Sequence, residues 1–201
     1  MVLISEGVNL PPLRGGTHMD NGSGSYSRFL AGDREGLRDI ICEYREGLIL
    51  YLNSFVQNIH TAEDLAEDTF TELAIKKPKF SRKSSFKTWL YAIGRNISTK
   101  YLRKHTKLNV VPLESQEYFA DEENIERDYL KSEQKQIVHQ ALRNLKLDYR
   151  QVLYLTFFEG FSNEEAAIIM KKSRKQIENL LYSAKASLKT YLERSGFEYE
   201  E

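Results

Sequence analysis

The sequence has a single cysteine, Cys42, among its 201 residues. One cysteine excludes an internal disulfide and argues against a thiolate zinc site. The four histidines lie far apart and lack the spacing of metal ligands. No apolar run has the length needed to cross a membrane, and no intact nucleotide-binding or nucleophile motif occurs. We therefore expect no metal, no cofactor, no catalytic residue and no membrane insertion.

Net charge is absent too, because 29 Lys and Arg balance 29 Asp and Glu. The charges are nevertheless segregated along the chain. Residues 73–113 contain no Asp or Glu, whereas residues 114–133 are acidic, with only Arg127 and Lys131 opposing. This segregation predicts separate basic and acidic surfaces, which matter more for binding than the total.

The basic stretch predicts one long helix over residues 84–107, with Ser84 or Ser85 as its N-cap. Apolar residues recur on one face at helical spacing: Phe86, Leu90, Ile93, Ile97 and Tyr101. The other faces and the preceding loop, residues 78–83, are basic, and the loop carries an aromatic ring. Cations neutralise phosphates and rings stack on unpaired bases, so the stretch suits nucleic acid with splayed bases. A solvated amphipathic helix is the alternative.

Two further helices are predicted upstream. Apolar spacing over residues 37–55 marks the first, which starts just after Gly32. The second opens at Thr61, where Thr61 and Asp64 have the spacing of a capping box. Acids line its exposed face: Glu63, Asp64, Glu67, Asp68 and Glu72. Because like charges four residues apart repel one another, this stripe favours a basic protein partner. A solvated face is the other interpretation.

The C-terminal third predicts a helix-turn-helix. A helix over residues 147–157 is ended by Gly160, and two capping boxes follow, Ser162–Glu165 and Ser173–Gln176. The first box opens a short helix and the second a longer one, the order of a helix-turn-helix. The second helix of this motif enters the major groove N-terminus first, where Gln and Asn can pair with adenine and Arg with guanine. A helical hairpin without function fits the same two boxes.

These patterns predict an all-α chain of two small helical domains joined by an acidic flexible linker. We place the first domain at residues 26–107, the linker at 108–127, the second domain at 128–193 and a tail at 194–201. The acidity of the linker either keeps the chain soluble or lets it occupy a basic channel of a partner.

Residues 1–25 are predicted to be a disordered tail or a mis-assigned translation start. Arg14-Gly15-Gly16 can be encoded by a bacterial ribosome-binding sequence, with a short spacer before Met19, so we hypothesise that Met19 is the true start. The alternative is an ordinary tail. N-terminal sequencing of the native protein tests this hypothesis, and peptides from before Met19 would contradict it.

Three segments together resemble bacterial RNA polymerase sigma factors of the extracytoplasmic-function group. AEDLAEDTFTELA, Ala62 to Ala74, looks like the core-binding helix. FSRKSSFKTWLYAIGRNISTKYLRK, Phe80 to Lys104, looks like the promoter-melting and −10 element. ALRNLKLDYRQVLYLTFFEGFSNEEAAIIM and SRKQIENLLYSAKASL look like the −35 binding domain. The order of the three, more than any one motif, makes the resemblance specific.

The resemblance implies a role for each surface. Core polymerase would dock on Glu63, Asp64, Leu65, Glu67, Asp68 and Phe70. The −10 element would be held by Lys79, Phe80, Ser81, Arg82, Lys83, Lys87, Asn96, Lys100, Arg103 and Lys104. The −35 element would be read by Ser173, Arg174, Lys175, Gln176, Asn179, Ser183 and Lys185.

The resemblance also implies partners. These are bacterial core RNA polymerase and promoter DNA in the cytoplasm, with an anti-sigma protein as a further candidate. The alternative function is a helix-turn-helix DNA-binding regulator that does not engage core polymerase.

The sequence departs from the family pattern in four places. Glu67-Asp68 replaces the usual Gln-Glu of the core-binding helix. Glu178 and Leu180 stand where many relatives have a basic residue and Arg, which should weaken phosphate contact and leaves the −35 sequence open. Lys171 replaces a common turn glycine, and a left-handed conformation there would cost a lysine about 1 kcal/mol.

Overall fold

The computed structural model describes residues 2–4, 8–10, 21–108 and 141–194. Two three-residue strands, β1 (Val2–Ile4) and β2 (Val8–Leu10), pair antiparallel. The other described residues form two helical units, which confirms the predicted pair of small helical domains. Met19, the linker beyond Leu108 and the tail beyond residue 194 lie outside the described residues.

The N-terminal unit has four helices. They are α1 (Asn21–Leu30), α2 (Glu35–Val56), α3 (Ile59–Lys76) and α4 (Phe86–Leu108). Its core is built where α2 meets α3 and α4, around buried side chains of α2 such as Ile40, Leu48 and Leu52.

Helix α1 corrects the prediction that the N-terminal tail extends to residue 25. The run from Asn21 to Ser25 is rich in glycine and serine, which are poor helix formers. Tertiary packing overrides that weakness, because Tyr26 is only 1% exposed. A Cβ on Gly22 would clash with the Phe86 ring, and one on Gly36 would clash with the Ser25 carbonyl. Glycine at both positions therefore permits α1 to approach its neighbours closely.

The start of α3 corrects a second prediction. The N-cap is Asn58, whose Oδ1 accepts a hydrogen bond from the Thr61 backbone N–H at 2.7 Å. The box predicted at Thr61 and Asp64 therefore does not begin the helix. Asn is among the best N-cap residues, and the earlier start also brings Ile59 into the core.

Helix α4 begins where predicted. The Ser85 Oγ accepts a hydrogen bond from the Thr88 N–H at 3.1 Å, which confirms Ser85 as the cap. The buried face is rotated from the predicted one, however. Tyr91 is fully buried, with its ring centroid 5.3 Å from that of Tyr51 on α2, whereas Ile97 and Tyr101 are only half-buried. A large aromatic pair thus determines which side of α4 faces α2.

The C-terminal unit contains α5 (Leu147–Leu153), α6 (Asn163–Met170) and α7 (Arg174–Arg194). A π-helical turn, Tyr154–Phe158, follows α5 directly, where the sequence pattern predicted continuous α-helix. The Glu159 N–H donates to the Tyr154 carbonyl at 3.1 Å, the wider spacing that defines such a turn. It brings the Tyr154 and Phe158 rings into a stack with centroids 4.9 Å apart.

Both predicted capping boxes are present. Ser162 and Glu165 exchange hydrogen bonds at the start of α6. At the start of α7, the Ser173 N–H donates to Gln176 Oε1 at 2.7 Å and the Gln176 N–H donates to Ser173 Oγ at 3.2 Å. On α7, Leu180 and Leu181 are only half-buried. The buried residues are Ile177, Ala184, Leu188 and Leu192.

Lys171 adopts the left-handed conformation at the C-cap of α6, with φ 54°. We expect Lys171→Gly to raise the stability of the C-terminal unit by about 0.5–1 kcal/mol, since glycine lacks the Cβ strain but loses more chain entropy on folding. Hydrogen exchange of the α6 and α7 amides measures this gain. Lys172→Gly is the control: Lys172 has no positive φ and pairs with Asp148 at 3.0 Å, so its replacement should give no gain.

Candidate functional site

The acidic stripe of α3 is narrower than predicted. Asp64, Glu67 and Asp68 are exposed, and we call these three side chains the acidic surface. Leu65 and Phe70 are only 3% and 7% exposed, which corrects the prediction that they touch a partner directly. They pack into the core and thereby hold the acidic surface in place.

The acids at the two ends of this stripe have basic neighbours within the chain. Glu63 lies 3.8 Å from Arg45 and 3.6 Å from His60. Glu72 lies 2.9 Å from Lys76. Among the described residues, no ion pair involves the acidic surface itself. The uncompensated negative charge of α3 is therefore concentrated on three side chains in its middle.

A basic loop follows α3, with Lys79, Ser81, Arg82 and Lys83 all exposed. Arg82 has φ 56°, a left-handed conformation that is uncommon for a residue with a Cβ. Phe80 is half-buried, and its contact with DNA stays a prediction. Its ring centroid lies 5.1 Å from that of Trp89 and 5.6 Å from that of Phe86, so the ring anchors the loop.

An aromatic cluster supports this loop from beneath. It comprises Tyr26, Tyr44, Phe80, Phe86 and Trp89. The Tyr26 hydroxyl donates a hydrogen bond to the Pro78 carbonyl at 2.7 Å and so fixes the entrance to the loop. Burial raises the pKa of this hydroxyl, which keeps it protonated as a donor. Helix α1 thus positions a loop that lies 52 residues later in the sequence.

The DNA-binding residues predicted on α4 fall into two groups. Lys100, Arg103 and Lys104 are exposed near its C-terminal end. Lys87 lies over the Tyr91 ring, 5.6 Å from the centroid, and Asn96 is half-buried. The first group is therefore the better placed of the two to meet a phosphate backbone.

A groove of 420 Å³ separates α3 from α4. Asp68 and Glu72 lie on its α3 wall, and Lys100 and Lys104 lie on its α4 wall. Ile75, which is 75% exposed, completes the α3 wall. Sequence reasoning missed Ile75, although an isoleucine that follows the last buried turn of α3 could have signalled an exposed apolar residue. Acidic residues of α3 and basic residues of α4 therefore line the same groove.

The helix-turn-helix of α6 and α7 exposes the N-terminal turn of α7. Ser173, Arg174, Lys175, Gln176 and Asn179 are all exposed. The box at the start of α7 already uses the side-chain oxygens of Ser173 and Gln176. Their contact with DNA stays a prediction, and the geometry gives them a capping role first.

Lys185 and Ser183 are half-buried. The ammonium of Lys185 lies 5.2 Å from the centroid of the Phe157 ring in the π-helical turn. Tyr182 is 80% exposed and shares the side of α7 that carries Glu178 and Asn179. Sequence reasoning missed Tyr182, which follows Glu178 by four residues and so shares its face.

Arg174 lies between two carboxylates. Its Nε donates to Glu178 Oε1 at 2.8 Å, and its Nη1 lies 2.6 Å from Glu164 Oε1 on α6. The hydrogen bond to Glu178, followed by the charges of Glu164 and Glu178, raises the pKa of Arg174. We call these three side chains the Arg174 triad. It ties the two helices of the motif together at the end that faces solvent.

The described part of the chain contains no cluster of three or more His, Cys, Asp or Glu side chains that could hold a metal ion. In the same residues, no helix combines the length and the apolar character that a membrane span requires.

Comparison with protein families gives two matches in chain order. Residues 40–108 match the model described as Sigma-70 region 2, which includes α3 and α4. Residues 135–188 match the model described as Sigma-70, region 4, which includes the helix-turn-helix. Together the two matched segments contain the acidic surface, the basic loop and the exposed N-terminal turn of α7.

Curated relatives match over most of their length. RNA polymerase sigma factor YlaC of Bacillus subtilis is 29% identical over 168 residues, 81% of this chain and 95% of that protein. RNA polymerase sigma-H factor of Pseudomonas aeruginosa is 27% identical, over 80% of this chain and 88% of that protein. ECF RNA polymerase sigma factor SigM of Bacillus subtilis is 26% identical, over 75% and 91%.

Two solved structures share the fold. RpoE of Bartonella quintana, in complex with the anti-sigma factor NepR, aligns with a TM-score of 0.63 and 25% identity, over 78% of this chain and 96% of RpoE. CnrH in complex with the cytosolic domain of CnrY aligns with a TM-score of 0.61 and 21% identity, over 86% and 95%.

Proposed function

The chain belongs to the extracytoplasmic-function group of the sigma-70 family, and we propose that it is an RNA polymerase sigma factor. It binds core polymerase, directs it to specific promoters and stabilises strand opening at the −10 element. The single observation that carries this proposal is the presence of both family regions, in order, in one chain. A regulator that never engages polymerase is disfavoured, because such a protein has no need of the N-terminal region.

The N-terminal unit supplies two of the proposed contacts. The acidic surface of α3 is placed against a basic surface of core polymerase, since its three acids have no ion-pair partner among the described residues. The basic loop and the C-terminal cations of α4 hold the separated strand. Lys and Arg side chains bind the phosphates of the DNA backbone without regard to base sequence. Extrusion of a base costs a few kcal/mol of lost stacking, which contacts to the single strand can offset.

The C-terminal unit supplies the third contact. The exposed N-terminal half of α7 enters the major groove at the −35 element, with Lys175 and Asn179 on the face that meets base edges. We further propose cytoplasmic action and, because the similar protein RpoE forms a complex with the anti-sigma factor NepR, control by an anti-sigma protein. Sigma factors are generally not enzymes, and we extend that property to this chain.

Run-off transcription tests the function. Bacterial core polymerase is assayed with and without this protein on the DNA upstream of its own gene. We expect a transcript with one defined start that appears only when the protein is present. Core binding without a transcript on this template would place the promoter elsewhere, whereas failure to bind core at all would overturn the proposal.

A further inference from the structure

Glu178 is an acidic side chain on the face of α7 that the proposed function turns toward DNA. It lies one turn into the helix and is exposed, as are its neighbours Lys175 and Asn179. A carboxylate so close to a phosphate backbone is repelled unless it finds a hydrogen-bond donor. Glu178 therefore needs a hydrogen-bond donor when the helix is bound to DNA.

The Arg174 triad fixes the direction in which Glu178 points. Oε1 of Glu178 accepts the hydrogen bond from Arg174 Nε at 2.8 Å. No hydrogen bond to Oε2 of Glu178 occurs among the described residues. One oxygen is thus held by the arginine, and the other can accept a donor from outside the protein.

The same contacts limit what Arg174 itself can read. An arginine that recognises guanine donates from two nitrogens on one edge of the guanidinium. Here Nε is bound to Glu178 and Nη1 to Glu164, so each edge of the guanidinium has one nitrogen already in use. Arg174 in this geometry holds a carboxylate in place, which is a positioning role distinct from the guanine contact expected of it.

The chemistry of the major groove then indicates which base Glu178 can bind. The hydrogen-bond donors that bases present there are the amino groups of cytosine and adenine, and a carboxylate is suited to accept from cytosine N4. Adenine also presents an acceptor, N7, beside its amino group, and a carboxylate repels it. We infer that Glu178 selects cytosine at one position of the upstream promoter element, with Arg174 as its positioning residue. The inference rests on the proposed function, because it requires α7 to read DNA.

The test is a selection experiment with complete holoenzyme. Core polymerase and the full chain are incubated with a duplex pool that carries a randomised central segment, and bound duplexes are sequenced. We expect wild-type protein to enrich cytosine at one upstream position roughly five- to tenfold over the other bases, the lower end of what one good base contact supplies. Glu178→Gln should lose that cytosine and shift the same position toward adenine, which a glutamine amide recognises.

Two further variants complete the design. Glu164→Gln removes the same charge from the same arginine but lies on α6, so it should bind all sequences somewhat more tightly and keep the cytosine. Arg174→Lys keeps the charge but loses the fork that orients Glu178, so cytosine enrichment should fall at that position alone. Core binding and the selected −10 sequence should be unchanged in every variant.

The outcomes separate the inference from the function on which it depends. If Glu178→Gln binds all duplexes more tightly with an unchanged base preference, Glu178 is only a repulsive charge and the inference is wrong. If wild-type holoenzyme enriches no upstream element, the −35 assignment fails and the inference fails with it. Core binding in the same preparation shows whether the sigma-factor function itself survives.

Discussion

Replacing Tyr26 by alanine is expected to lower the free energy of unfolding of the N-terminal unit by about 3–5 kcal/mol, the usual range for deletion of a buried aromatic ring. Tyr26 is 1% exposed, and its ring lies 5.3 Å from Trp89 and 5.6 Å from Phe86. Its loss removes these contacts and leaves the Pro78 carbonyl without the hydroxyl donor. A domain of this size has total stability of about 5–15 kcal/mol, so the variant should be close to unfolding.

Urea titration followed by tryptophan fluorescence measures this loss for the N-terminal unit alone. Trp89 is the only tryptophan of the chain and lies in the aromatic cluster. Signals from the C-terminal unit therefore do not enter the measurement. A variant whose transition midpoint and slope match those of the wild type would show that α1 does not belong to the packed unit.

Tyr26→Phe is the matched control, because it keeps the ring and removes only the hydrogen bond to the Pro78 carbonyl. Loss of one such half-buried bond costs on the order of 1 kcal/mol, so this variant should remain folded. It should still reduce strand opening, since the loop that carries Lys79, Arg82 and Lys83 loses its fixed entrance. Permanganate reactivity of unpaired thymines in the promoter complex reports strand opening directly.

Helix α1 also marks the limit of what the sequence could predict. Features governed by neighbouring residues were predicted correctly: a serine cap at the start of α4 and both boxes of the helix-turn-helix. Each depends on residues within four or five positions. The existence of α1 depends instead on Gly22 meeting Phe86, a contact between residues far apart in the chain.

The functional surfaces show the same division. The periodicity of α3 separates its acids from its apolar residues, whereas the docking role expected of the buried Leu65 and Phe70 came from the family resemblance alone. The Arg174 triad could not be predicted from the sequence either. Its link to Glu164 crosses from α6 to α7, and no local spacing rule describes it.

Reversal of charge on the acidic surface should abolish transcription. We expect Glu67→Lys combined with Asp68→Lys to weaken core binding by about 3 kcal/mol or more, on the order of 100-fold, because like charges brought together at an interface cost several kcal/mol. Both side chains are exposed, and neither forms an ion pair within the described residues. The fold should therefore survive, with an unchanged Trp89 unfolding transition.

The measurement combines a core-binding titration with run-off transcription. Glu35→Lys combined with Asp39→Lys is the matched control, since it makes the same change of charge on exposed acids of α2. It disrupts only exposed pairs with Arg38 and Arg28, and such pairs contribute about 0–1 kcal/mol. This control should bind core and transcribe nearly as the wild type does.

DNA binding distinguishes a docking defect from a general one. The proposed −35 contacts lie on α7, in the other helical unit, so the α3 double variant should keep the affinity of the isolated chain for duplex DNA while it loses transcription. Such a split would place the polymerase contact on α3 and leave α7 intact. If transcription persists at the wild-type level with both lysines in place, the core-docking surface lies elsewhere on the chain, and the acids of α3 are simply a solvated face.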